Sequence, residues 1–465
     1  MTMESSSTEL AASLKPRHVA MIAIGGIIGA GLFVGSSTAI VMVGPAVIFS
    51  YLLAGLLVIL VMRMISEMAV AQPGVTAFPD FARSGLGDWA GFVTGWLYWY
   101  FWVVVVAIEA IAGAAILQLW MPGFEVWQIG IVLLAVGTGI NLLSTGSYGE
   151  AEFWLSSMKI AAVVVFLAIA AAFAFGLTAP DGPTFSNLVD HGGFAPMGWA
   201  AVLAGITTVI FSMTGAEIVV VAAAESEDPA RTTSTITGTV IVRILLFYVL
   251  SIILIVSVIP WRDVVSGLSP FATALDGMHI PYAGTIMNAV VLVAVFSCLN
   301  SGMYVTSRVL FSLAARGEAP QALVAINRRG VPARSILIGS LFGYVALAAS
   351  VVSPGLVFNF LVSASGALMV VIYMLLGFAQ LRVRARVERE APERLTVRMW
   401  FHPWGSLFAI AGMIGVLVAM ALVPGLTSQF YASMFTVAVV VAAYLLRRSI
   451  LARRQQTPAA DSIQP

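Results

Sequence analysis

Residues 25–31 read Gly25-Gly26-Ile27-Ile28-Gly29-Ala30-Gly31, and residues 211–217 read Phe211-Ser212-Met213-Thr214-Gly215-Ala216-Glu217; each run lies within an apolar stretch of bilayer length. Four glycines stand in the first seven residues, and each weakens a helix by about 1 kcal/mol relative to alanine. The run points to an unwound segment, although spacing such as Gly25 to Gly29 also marks close packing of membrane helices. The second run supports unwinding. It sets a glycine, two hydroxyls and an ionisable carboxylate at membrane depth, in a second half of the chain that matches the first. Interruptions at corresponding positions of two inverted halves point to a midplane binding site.

Composition makes the bilayer the solvent. The 465 residues are 60% hydrophobic and only 10% charged, against roughly a quarter charged in a soluble domain. A mean hydropathy of +0.99 leaves no polar shell for a water-soluble globule. Apolar spans follow one another at 18–43, 45–70, 91–119, 125–143, 153–176, 198–224, 236–259, 283–310, 335–352, 356–380, 404–424 and 428–446. Each is near the ~20 residues that cross the hydrocarbon as a helix. They lack the alternation of a membrane barrel, so the sequence predicts an all-α integral membrane protein of twelve transmembrane helices.

One transmembrane domain, 18–446, is expected between a tail at 1–17, which lacks the features of a cleaved signal peptide, and a tail at 447–465. Of the 23 lysines and arginines, Arg262 alone falls in a loop on the second side of the membrane, which predicts that both termini are cytoplasmic. None of the asparagines begins an Asn-x-Ser/Thr acceptor, which favours a bacterial plasma (inner) membrane. The connections 311–334 and 381–403 read as arginine-rich anchors on anionic lipid. A net charge of +1 gives no field for nucleic acid, and no obligate protein partner is evident. A single cysteine and four histidines, all in or beside polar connections, supply no disulfide, metal cluster or histidine relay, so no metal or cofactor is expected. No catalytic constellation, selectivity ring or phosphate-binding loop is present, which argues against an enzyme, a channel or a built-in ATPase.

Spans one to five face opposite ways to spans six to ten. Unwound backbone at spans one and six offers amides at one half-helix and carbonyls at the other, and these suit a solute bearing both carboxylate and ammonium. An amino acid is the simplest such solute. Glu217 reads as a proton-linked carboxyl or as a neutral group tying span six to a neighbour. Glu109, mid-span behind the aromatic run 96–102, reads as packing or function. Lys159, about two turns into span five, reads as a snorkelling side chain. Arg63 and Glu67, four apart, read as a helical ion pair. The aromatic run is too dense to be a site in itself, and its rings are expected to face lipid or packing partners.

The residues Leu14-Lys15-Pro16-Arg17-His18, the glycine-rich run 25–35, Gly44-Pro45-Ala46, Gly95-Trp96-Leu97-Tyr98-Trp99 and the stretch Gly215 to Glu225 resemble the bacterial transporters of the amino acid, polyamine and organocation superfamily. The resemblance covers all twelve spans. Within the superfamily, Ala222-Ala223-Ala224-Glu225-Ser226 and Ser297-Cys298-Leu299-Asn300-Ser301 are most similar to permeases of 4-aminobutyrate (GABA), which implies proton symport of GABA or a related amino acid. Other neutral, aromatic or proline permeases and exchangers share the same breaks. The resemblance implies a LeuT-like fold: inverted repeats at about 18–176 and 198–380, broken helices 1 and 6, and two peripheral helices at 404–446. It also implies that amides of Gly29, Ala30 and Gly31 hold the substrate carboxylate. Carbonyls of Ile27, Phe211 and Thr214, beside Gly215, would meet the ammonium, and the Phe211 ring would cover it. Lys159 would stand where sodium-coupled relatives hold a sodium ion, with Asn300 and Ser301 as its expected neighbours, and Glu217, Lys159 and Glu109 are the proton-coupling candidates. Gly31 departs from the resembling permease, which has a serine there.

Overall fold

The structure, a computed structural model, describes residues 28–75, 78–143, 148–215, 217, 238, 241–327 and 330–456. Its long helices are α1 Ala30–Val43, α2 Val47–Ala71, α3 Phe78–Leu86, α4 Asp88–Gln118, α5 Val126–Leu143, α6 Tyr148–Ala174, α7 Gly198–Met213, α8 Ile241–Val258, α9 Pro270–Gly277, α10 Ala283–Ala315, α11 Ala333–Ala349, α12 Pro354–Glu390, α13 Trp404–Leu422 and α14 Thr427–Gln456. Among the described residues there is no strand, and nine helices are long and apolar enough to cross a membrane: α2, α4, α5, α6, α8, α10, α12, α13 and α14. Three shorter apolar helices, α1, α7 and α11, complete the apolar set among those residues.

These helices are apolar on every side, so no amphipathic stripe orients them; burial separates the core columns from the rim. α4 is buried along nearly its whole length and forms its most extensive contact with α10. α7 is enclosed by α1, α2, α12 and α13. α14 lies at the rim, with 6% of its apolar window buried. Several helices outrun the apolar spans read from sequence. α10 continues to Ala315, α12 to Glu390 and α14 to Gln456, because hydropathy locates hydrocarbon whereas arginine and glutamate are good helix formers beyond it. In α12 the extension is held by Arg384, which donates to Glu388 one turn on at 2.6 Å.

The expected Arg63–Glu67 pair is corrected. Arg63 donates to the Arg398 carbonyl at 2.8 Å and lies over the Trp400 ring. Glu67, 1% exposed, instead faces α12, where it accepts from Gln380 Nε2 at 2.6 Å, from Arg384 and from the Met399 amide. Gln380 in turn accepts from Ser406 of α13 at 2.8 Å. Four-residue spacing allows a pair on one face, but three converging donors outweigh one partly solvated neighbour. The connection 391–403 is therefore folded back beneath α2 and α12 with Leu395, Val397 and Met399 buried, rather than lying free as an anchor. A second knot joins α3 to the far end of α10. Arg83 bridges Asp88 at 2.9 Å and Glu318 at 2.6 Å, and Asp80 engages Arg316 and raises its guanidinium above the ordinary value.

Removing one member of a buried ion pair costs about 3–5 kcal/mol, because its partner stays buried. Glu67→Ala is expected to lower the thermal midpoint of the detergent-solubilised protein far more than Arg63→Ala. Equal midpoints would show that Glu67 does not hold the strap.

Candidate functional site

Two helix ends meet in the core. α1 starts at Ala30 after Gly29, whose backbone is extended (φ −140°, ψ −148°), and it is interrupted by a turn at Val34. α7 stops at Met213; Thr214 is extended (ψ 149°) and Gly215 takes φ +106°, a conformation that side-chain-bearing residues rarely adopt. The interruption after α7 falls on the residues read from sequence. Ile27 and the earlier glycines lie outside the described residues, as does the run 218–237 with Ala222 to Ser226.

Glycine lets these ends approach. A Cβ built on Gly31 would lie 2.7 Å from Ser212 Cα and 3.4 Å from the Phe211 ring. One on Gly29 would lie 2.7 Å from both Cys298 Cβ and Glu109 Oε1. The start of α1 is thus wedged between α7 on one side and α4 with α10 on the other. Phe211, 5% exposed, packs 6.2 Å from the Phe101 ring, and its carbonyl accepts the Thr214 amide at 3.3 Å.

Glu109 of α4 does not merely pack. Its two oxygens accept the Ala30 amide at 3.1 and 3.0 Å, so the first amide of α1 already holds a carboxyl group. Lys159 of α6 is fully buried and donates to Ser297 Oγ of α10 at 3.0 Å; it sits within electrostatic range of Glu109. Ser297 lies one turn before the expected Ser301. Asn300 faces α5, where it accepts from Asn141 Nδ2 at 2.8 Å.

Glu217 is clamped across three helices. Tyr98 of α4 donates to Oε1 at 3.2 Å, Tyr373 of α12 donates to Oε2 at 3.2 Å, and the Gly215 amide donates to Oε2 at 2.8 Å. Arg243 of α8, 2% exposed, lies within electrostatic range of Glu217, Tyr248 and Tyr373. Tyr248 covers a carbonyl at the end of α7 by donating to Ser212 at 2.8 Å. At the end of the bundle opposite the arginine-rich one, the contacts are neutral. Thr38 of α1 and Ser266 both donate to Asn359 Oδ1 of α12, at 2.6 and 2.9 Å, while the Gly267 amide donates to Ser37 at 2.9 Å. Phe271 of α9 stacks between Phe33 and Phe166 just beneath, at 5.1 and 4.7 Å.

The structure therefore brings Gly29, Ala30, Gly31, Phe211, Thr214, Gly215 and Glu217 to one place, with Glu109 and Lys159 behind α1. The sequence reading missed Tyr98, Tyr373, Ser297 and Arg243. Tyr98 was hidden in the aromatic run, whose Leu97, Trp99, Phe101 and Trp102 are buried packing residues. Arg243 carried a signal: a guanidinium within an apolar span, here about two turns past the start of 236–259, is rare without a task.

The sequence profile of the amino acid permease family matches residues 18–457. The chain is 43% identical to a gamma-aminobutyric acid permease of Bacillus subtilis over 96% of its length and 95% of that protein's. It is 42% identical to the Escherichia coli gamma-aminobutyric acid permease, with 91% of each chain covered. An aromatic amino acid transport protein of Corynebacterium glutamicum is 35% identical, with 92% of this chain and 93% of that protein covered.

Overpacking a tight helix contact costs about 1–3 kcal/mol. Gly31→Ala is expected to lower the thermal midpoint, because its Cβ meets the backbone of α7. Gly35→Ala is expected not to, since its Cβ has 3.5 Å to the Ala30 carbonyl and 4.0 Å to Phe211. Equal tolerance of both would overturn the wedge between α1 and α7.

Proposed function

The chain belongs to the amino acid permease family, and from that premise we propose that it is a secondary active importer of GABA or a closely related amino acid, driven by proton symport. The observation that carries this reading is the meeting of the amide start of α1 with the interrupted end of α7, where a carboxyl group already rests on the Ala30 amide. That geometry supports binding of the substrate carboxylate by the amides of Gly29, Ala30 and Gly31. The ammonium is assigned to the carbonyls of Ile27, Phe211 and Thr214 beside Gly215, under the Phe211 ring. Relatives named for GABA at 42–43% identity favour that substrate over the aromatic one named for the relative at 35%.

Twelve spans in the LeuT-like arrangement are part of the proposal. Nine long apolar helices support the count, and the short α1 and α7 are read as halves of the broken spans one and six. The domain 18–446 would sit in a bacterial inner membrane with both tails cytoplasmic, with substrate, protons and lipid as its only partners. Buried Glu109, Lys159 and Glu217 support proton coupling, since ionisable groups at membrane depth are retained for function more often than for stability. The Tyr98–Glu217–Tyr373 clamp would close the cytoplasmic path, and the Thr38–Asn359–Ser266 contacts the outer one. Alternating access then amounts to opening one while the other holds.

Proteoliposomes carrying the protein are expected to accumulate radiolabelled GABA under an inward proton gradient, to continue with sodium replaced by choline, and to stop with an uncoupler. Competition by a panel of amino acids identifies the preferred substrate. Strict sodium dependence would overturn the proton reading and with it the role given to Lys159. Glu217→Gln is expected to reduce gradient-driven accumulation more than exchange of labelled for unlabelled substrate, because glutamine keeps the clamp's size but carries no proton. Equal, severe loss of both would assign Glu217 to substrate contact instead.

A further inference from the structure

We propose that Glu109 is a built-in competitor of the substrate: its carboxylate occupies the amide that the substrate's carboxylate needs, and it yields that amide by taking up a proton as substrate binds. The inference rests on the proposed placement of the substrate carboxylate at the start of α1, and it assigns Glu109 the task of linking occupancy there to protonation.

The first amides of a helix have no carbonyl partner within it, so in a dry core they must find an acceptor elsewhere. Ala30 is fully buried, and its amide hydrogen is shared by both oxygens of Glu109, a residue from another helix and 2% exposed. Chemically the bound group is a carboxylate, the same group that an amino acid presents. One N–H cannot serve two carboxylates, and two like charges at hydrogen-bonding distance cannot both stay ionised in a low-dielectric site. Substrate binding must therefore either expel Glu109 or neutralise it. Expulsion has little room. Gly29 and Cys298 of α10 close one side so tightly that a single Cβ on Gly29 would touch both Cys298 and Glu109. Neutralisation needs no room: a protonated Glu109 gives up its claim on the amide and can donate its O–H to the arriving carboxylate.

The groups facing Glu109 fit this exchange. Lys159 from α6 is the cation, held on Ser297 of α10; Cys298 from α10 is a thiol; and α1 contributes backbone only. In the empty site Lys159 faces one anion, Glu109. In the loaded site it again faces one anion, the substrate, with Glu109 neutral. The number of carboxylates beside Lys159 is unchanged, one proton is taken up per substrate, and because the substrate brings its own ammonium the loaded site carries one more positive charge than the empty one. Glycine at 29 and alanine at 30 keep the competing carboxyl group and the substrate within reach of the same amide.

The test is equilibrium binding of tritiated GABA to the purified protein across a pH series, with a pH-indicator dye in weak buffer to count protons. Wild type is expected to take up about one proton per GABA on the alkaline limb, where affinity falls about tenfold per pH unit. Glu109→Gln is expected to bind GABA with an affinity independent of pH, at least as tight as wild type in acid, and to take up no proton. Wild type binding GABA with no proton uptake at any pH overturns the inference without needing a folded variant. So does Glu109→Gln with wild-type pH dependence, or a folded Glu109→Gln that no longer binds GABA, since Glu109 would then hold substrate rather than compete with it. Gradient-driven uptake alongside any of these results leaves the permease reading standing and removes this inference alone. Failure of GABA and of every amino acid in the competition panel to bind at any pH removes both.

Discussion

The rest of the structure answers one constraint: a helix interrupted inside hydrocarbon exposes amides and carbonyls that water cannot reach. Each such group left unmet costs about 1–3 kcal/mol or more, and two interruptions expose several. The side chains around the breaks are placed accordingly. Glu109 meets the Ala30 amide, Glu217 meets the Gly215 amide, Tyr248 meets the Ser212 carbonyl, and the Thr214 amide turns back to Phe211. A solute that displaced these partners would have to supply both an anion for the amides and a cation for the carbonyls. In the proposed reading, structural repair and substrate recognition use the same atoms.

The constraint also explains the buried charges. An isolated ion at membrane depth is costly, and each one described has company: Glu109 with Lys159, Glu217 with two tyrosines and Arg243 nearby, Glu67 with Arg384 and Gln380. The three groups differ in what surrounds them. Glu67 accepts from α12 and the strap, all of which fix helix ends, and none of its partners belongs to an interruption. Glu109 and Glu217 each hold an amide of a break. That difference separates a structural carboxylate from two whose partners can change.

Much of this was legible in the sequence. The run ending at Glu217 located the interruption after α7 and apolar length located the long helices, because both signals are local, while of the glycines in 25–31 only Gly29 and Gly31 fall among the described residues. Partner choice is not local. The spacing of Arg63 and Glu67 gave a plausible pair, yet the orientation of α2 turned Glu67 toward Arg384, hundreds of residues away in sequence. Asn300 was expected beside Lys159 and instead faces Asn141, while Ser297, for which no role was expected, accepts from Lys159; a few residues along α10 change which neighbour a side chain faces, and one sequence does not say how α5 and α6 are rotated against it. Tyr98 and Tyr373 carried no signal, since a tyrosine that clamps a carboxylate and one that packs in an aromatic run look alike until Glu217 is placed between them.

The contacts proposed to close the two ends of the path differ in chemistry, and the difference bears on the direction proposed for transport. The contacts among Thr38, Asn359 and Ser266 are neutral, so their strength does not depend on pH across the range in which carboxyl groups titrate. The clamp on Glu217 is built on an ionisable acceptor: two phenols and an amide bind a carboxylate more strongly than a neutral carboxyl, because charge-assisted hydrogen bonds are roughly twice as strong. Protonation of Glu217 would therefore loosen the clamp and leave the neutral contacts untouched. In the transport cycle proposed above, that would give a proton-dependent bias at one end of the path with no charged pair at the other.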